Sequence, residues 1–103
     1  MSDYHNRSTD NLFKAISGIN TVKDCYAFFE DLCTIKEIQD MAQRFETAVL
    51  LSKGENYQTI SQKVGVSSAT ISRVNRCLNY GSGGYKAAIA EISVKEKENE
   101  NKR

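Results

Sequence analysis

The chain has 103 residues, 40% hydrophobic and 26% charged, with three cysteines, no proline and no tryptophan. That suits one small domain with a thin core. No run approaches the ~20 apolar residues of a membrane span, and the opening MSDYHNRSTD has no apolar stretch of a secretory signal, so a cytoplasmic location is expected.

Residues 1–9 are polar and read as a flexible N-terminus. Asp10 can N-cap a helix beginning near Leu12, with Leu12, Phe13, Ile16 and Ile19 apolar and Gly18 and Asn20 marking its end. Thr21 with Asp24 resembles a capping box, Asp replacing the usual Glu or Gln. The helix it opens carries Val22, Cys25, Tyr26, Phe28, Phe29 and Leu32. Thr34 with Glu37 is a fuller capping box. It opens a long helix, IKEIQDMAQRFETAVLLSKG, with Gly54 in the C′ position. An apolar stripe runs Ile35, Ile38, Met41, Ala42, Phe45, Ala48, Val49 and Leu51.

Residues 57–78, YQTISQKVGVSSATISRVNRCL, carry the most specific pattern. Ile60 and Val64 share one face of a short helix. Ser61 is small and permits close helix packing. Gly65 stands where the chain must turn, because glycine takes positive φ without steric cost. Val66 plugs the elbow, and Ser67 is a good N-cap. Ile71, Val74 and Leu78 form the apolar face of a second helix. Its opposite face carries Ser68, Ala69, Ser72, Arg73 and Arg76, short groups and guanidinium forks suited to base edges and phosphates. This is a helix-turn-helix pattern. An ordinary helical hairpin, or a helix-turn-helix that binds only protein, are the plainer readings.

Asn79 to Gly84 is a glycine-rich break. A last helix is expected from Tyr85 to about Val94, with Tyr85, Ala88, Ile89 and Ile92 on one face. Tyr80 and Tyr85 flank this break; both are expected to pack at the base of the motif, with stacking on nucleic acid the alternative. Residues 93–103 form a charged tail, either disordered or a frayed end of that helix. The single domain therefore spans 10–92. No strand alternation and no internal repeat is present, so the fold class is all-α.

The net charge of +1 hides a split. Residues 1–56 carry −3, residues 57–90 carry +4 with no acid, and residues 91–103 carry zero. Positive charge thus gathers on the reading head and its C-terminal flank, as for a surface facing phosphates; chance clustering is the bland alternative. Cys25, Cys33 and Cys77 are scattered without CxxC spacing, which argues against a disulfide framework or a structural metal site. Buried free thiols are expected.

The N-terminal helices hold Phe13, Tyr26, Phe28, Phe29 and Phe45, more apolar surface than one slim motif can cover. They are expected to bury it against a second copy of the chain. A two-fold dimer also sets two recognition helices about 34–36 Å apart, the spacing of successive major grooves.

The segments FFEDLCT at 28–34, IQDMAQRF at 38–45 and GVSSATISRVNRCLNYG at 65–81 resemble the Trp repressor superfamily, and within it the YerC/YecD group of small bacterial proteins. The resemblance covers residues 10–92. It implies an all-α, Trp-repressor-like helical domain, an intertwined homodimer, and a DNA-binding transcriptional regulator. It also implies a bacterial protein, nucleoid-associated when bound to DNA.

The Trp repressor holds its tryptophan corepressor between two arginines, and the matching positions here are Arg44 and Arg73. Thr34 matches a threonine at the pocket's edge. The residue after the second arginine is glycine in the Trp repressor and Val74 here. An isopropyl group in the space of an indole ring overpacks a tight site, which costs typically ~1–3 kcal/mol. The resemblance, corrected for Val74, implies DNA binding without tryptophan.

The DNA-binding surface expected from this pattern comprises Gln58, Thr59, Lys63, Ser67, Ser68, Ala69, Ser72, Arg73 and Arg76. Ser68, Ala69 and Ser72 face bases; Arg76 and Lys63 meet phosphates; Gln58 and Thr59 begin the first motif helix, where backbone N–H groups can meet a phosphate. Short side chains leave much of the discrimination to water and DNA shape. No catalytic set, cofactor motif or metal-ligand spacing stands out: His5 lies in a polar terminus, and GSGG at 81–84 lacks a preceding strand. The function expected is a sequence-specific double-stranded DNA-binding regulator, a repressor, acting as a homodimer. The alternatives are a protein-interaction module of the transcription machinery and an amino-acid-responsive repressor.

Overall fold

The computed structural model describes residues 4–101, with side chains described through 98. The first three residues of the expected flexible N-terminus and the last two of the charged tail lie outside it. Among the described residues there are six α-helices and no strand: α1 (Arg7–Ser17), α2 (Val22–Leu32), α3 (Ile35–Ser52), α4 (Tyr57–Val64), α5 (Ser68–Tyr80) and α6 (Gly84–Asn101). The chain divides into two compact units, 1–38 and 39–103, with the boundary inside α3.

In the first unit, α1 begins earlier than expected. Asn6, not Asp10, is the N-cap, its Oδ1 accepting the Thr9 N–H at 2.9 Å. The Thr9 hydroxyl also donates to the Tyr4 carbonyl at 2.6 Å. Asp10 then falls in the first helical turn, where a carboxylate suits the dipole. So residues 7–9 are helical. The Thr21 hydroxyl accepts the Asp24 N–H at 3.1 Å, as its spacing predicts. Thr34 and Glu37 make the full reciprocal box, at 2.8 and 3.0 Å. Neither α1 nor α2 contains a buried residue. Phe13, Val22, Tyr26 and Leu32 all stand exposed.

The second unit holds the core. Leu50 from α3, Ile60 from α4 and Ile71 from α5 form its centre, with Leu51, Val64 and Val66 packed around them. α5 packs on both α4 and α6. The predicted stripe of α3 needs correction: its buried residues are Thr47, Ala48 and Leu50, while Ile35 is exposed. Periodicity identifies residues that share a face, not where along the helix a neighbour crosses. Thr47 is fully buried, and its hydroxyl donates to the Gln43 carbonyl at 2.8 Å, so its burial leaves no lone polar group. At the end of α3, Gly54 has φ 86°, with Gly54 N–H donating to Leu51 O at 3.0 Å and Glu55 N–H to Leu50 O at 3.1 Å. That is the Schellman pattern expected of a C′ glycine.

α6 runs past the expected Val94 to Asn101, so the charged tail continues the helix, with a Lys95–Glu91 pair at 3.7 Å along it. Of its expected apolar face, Tyr85 and Ile89 are half-buried and Ile92 is exposed. The three thiols are free, but not buried as expected: Cys25 and Cys77 are exposed and Cys33 is half-buried. Cys25 lies on α2, which buries nothing. Among the described residues, no helix is long and apolar enough to cross a membrane.

Candidate DNA-binding face and its adjoining cleft

The reading head starts at Asn56, which N-caps α4 by accepting the Thr59 N–H at 2.8 Å. That bond takes the Thr59 amide away from any phosphate. Gln58 is exposed and Thr59 is half-buried. α4 buries Ile60 and ends at Gly65, whose φ of 83° and ψ of 27° lie in the left-handed region. An L side chain there costs roughly 1–2 kcal/mol, so the sequence signal for the turn has a direct geometric cause. Gly65 N–H donates to Ser61 O at 2.9 Å. Val66 packs on the core, which is the elbow role its position predicts.

Ser67 N-caps α5, its hydroxyl oxygen accepting the Thr70 N–H at 3.2 Å. α5 then has two faces. Ile71, Val74 and Leu78 are buried, and Ser68, Ala69, Ser72, Arg73 and Arg76 are exposed. All five outward residues named from the sequence are therefore exposed on α5.

Lys63 is exposed at the end of α4, and its Nζ lies 3.7 Å from Glu55 Oε1. The acid-free window of the sequence is thus not acid-free in space: Glu55 sits just before it. Such an exposed pair is worth about 0–1 kcal/mol, so Lys63 can exchange it for a phosphate. Sequence reasoning also gave Ser61 only the merit of small size. Its hydroxyl donates to the Val66 carbonyl at 2.9 Å, across the turn.

Beside this face lies an open cleft of about 560 Å³, lined among others by Asp40, Arg44, Arg73, Val74, Cys77 and Tyr85. It brings together Arg44, Arg73 and Val74, three of the four residues named for an effector pocket. Thr34 belongs to the first unit, where its hydroxyl accepts the Glu37 N–H. Val74 is 2% exposed, so its side chain is packed, yet the cleft stays open beside it. Asp40 was missed from sequence. Its position four residues before Arg44 on one helix was the available signal. Tyr85 lines the cleft, but Tyr80, expected to pack at the base of the motif, is 87% exposed at the last position of α5. No group of His, Cys, Asp and Glu among the described residues could hold a metal ion.

A short helix, a left-handed glycine turn and a second helix with one buried and one free face define a helix-turn-helix protein. Within that class, the chain belongs to the Trp repressor protein family, which it matches over residues 7–93. It is 46% identical over 96 residues to the uncharacterized protein YerC of Bacillus subtilis (strain 168), covering 93% of this chain and 92% of that one. The crystal structure of a TrpR-like protein from Eubacterium eligens ATCC 27750 is similar at a TM-score of 0.82 and 44% identity, over 85% of this chain and 91% of that one. A second crystal structure, from Staphylococcus aureus, has a TM-score of 0.81 and 41% identity, over 85% and 88% of the two chains. Membership makes this an all-α protein of a DNA-binding regulatory family.

Proposed function

We propose that this protein is a sequence-specific double-stranded DNA-binding transcriptional repressor that acts as a cytoplasmic homodimer, without tryptophan as corepressor. The observation that carries it is the free face of α5, where Ser68, Ala69, Ser72, Arg73 and Arg76 are exposed opposite a buried Ile71, Val74 and Leu78. Small groups at the helix N-terminus can approach base edges while arginines hold phosphates. Gln58, Lys63 and Ser67 extend that surface. Thr59 contributes as a packed first-turn residue rather than through its amide.

The dimer is supported by the uncovered apolar side chains of α1 and α2. Phe13 and Tyr26 are 57% and 60% exposed in the single chain, and large aromatic groups gain most from burial. Tryptophan independence is supported by Val74, whose side chain replaces the glycine of the Trp repressor beside the two arginines. One observation favours a second reading, an amino-acid-responsive repressor: the cleft next to Arg44 and Arg73 remains open.

The test is fluorescence anisotropy with a labelled random duplex and then a duplex selected from a random pool. Expected are binding at low salt that falls steeply with added salt, two chains per selected site, and no change with L-tryptophan. Salt-insensitive behaviour would favour a protein-interaction module, and a rise in affinity with L-tryptophan would favour the second reading.

A further inference from the structure

The turn between α4 and α5 is held from an unexpected side. Gly65 gives it its left-handed step, and Val66 pins it to the core. Both act on the chain itself. Ser61 acts across it: its backbone carbonyl accepts the Gly65 N–H at 2.9 Å, and its hydroxyl donates to the Val66 carbonyl, also at 2.9 Å. One residue of α4 therefore bonds to both sides of the turn. The next residue, Ser67, is the cap from which α5 starts, holding the Thr70 N–H while its own carbonyl accepts the Ile71 N–H at 3.1 Å. The second Ser61 bond is part-buried. If it is lost, the Val66 carbonyl gives up a partner where water is restricted.

We propose that Ser61 is a positioning residue of the reading head: its hydroxyl clamps Val66 and so sets the direction in which α5 presents Ser68, Ala69 and Ser72. It touches no base or phosphate itself. The proposal rests on α4 and α5 reading DNA, as set out above. A recognition helix whose start can swing loses base contacts before phosphate contacts, because bases are read by short groups at fixed geometry. The clamp therefore governs discrimination more than overall attraction.

Ser61→Thr and Ser61→Val isolate the hydroxyl, since the two side chains match in shape and differ in that group alone. Ser61→Ala serves as a third variant should the β-branched pair fold poorly, and circular dichroism at the assay temperature checks that each is folded. The probes are a random duplex and a duplex selected with the wild-type chain; hydrogen exchange of the Ile71 amide reports the start of α5 without DNA. S61V should bind the selected duplex about tenfold more weakly than S61T, roughly the loss of one hydrogen bond. Both should bind random duplex equally and show the same salt slope. Ile71 exchange should be faster in S61V than in S61T, and S61A should follow S61V. Equal affinities for the selected duplex overturn the proposal. Faster exchange with unchanged affinity also overturns it, because the bond then holds the turn without aiming the helix. A wild-type chain that binds no duplex overturns the DNA reading itself, whatever the exchange rates.

Discussion

The first unit and the helix-turn-helix draw on the same kinds of residue and treat them oppositely. α1 and α2 carry phenylalanines, a tyrosine, a valine and leucines in helical register, and bury none of them. α4 and α5 carry fewer and smaller apolar groups, and Ile60 and Ile71 are fully buried. Amphipathic pattern therefore does not set burial. A helix needs a facing surface of matching width, and a left-handed turn supplies one to α4 and α5 within the chain. On α1 and α2, Phe13 and Tyr26 stay exposed, and the second copy proposed above would cover them.

The largest effects should separate the two regions. Ile71→Ala should destabilise the fold by roughly 2–5 kcal/mol, as for a buried aliphatic truncated to alanine, read by urea unfolding. Phe13→Ala is the sharper test. In a dimer that buries Phe13, it should cost about 3–5 kcal/mol, and the melting temperature of the unsubstituted chain should rise with chain concentration. A change within about 0.5 kcal/mol, as for an exposed site, together with a single-chain mass in sedimentation, would break the comparison and leave the N-terminal face without an occupant.

Smaller effects refine the second region. Arg76→Gln should weaken binding to every duplex and reduce the salt slope by about one unit; an unchanged slope would remove Arg76 from the phosphate contacts. Glu55→Gln should alter stability by less than about 1 kcal/mol, since its pair with Lys63 is exposed. It should slightly strengthen duplex binding by freeing Lys63, and a weaker complex would mean that the pair orients Lys63 rather than competing for it.

Much of the site was legible because local chemistry dictates it. Thr21, Thr34, Ser67, Gly54 and Gly65 each perform the cap or turn their residue type predicts. The errors share a cause. Asn6 rather than Asp10 caps α1, because the polar run before Leu12 holds more than one residue type that suits an N-cap. Thr47 and Leu50 are buried although they lie off the expected stripe of α3, because positions beside an apolar face differ only in what crosses them. Cys77 and Tyr80 follow the helical pattern yet stay exposed.

By itself the sequence determined the six helices in outline, the turn at Gly65, and the division of α5 into an apolar face and an exposed polar face. These depend on backbone propensity, capping and periodicity, which act within a few residues. Only the tertiary structure decided that Glu55 sits against Lys63, that Arg44, Arg73 and Asp40 share an open cleft beside a packed Val74, and that the Ser61 hydroxyl reaches Val66. Each joins atoms whose meeting depends on how two elements pack, and a packing angle is a property of the fold rather than of any one segment.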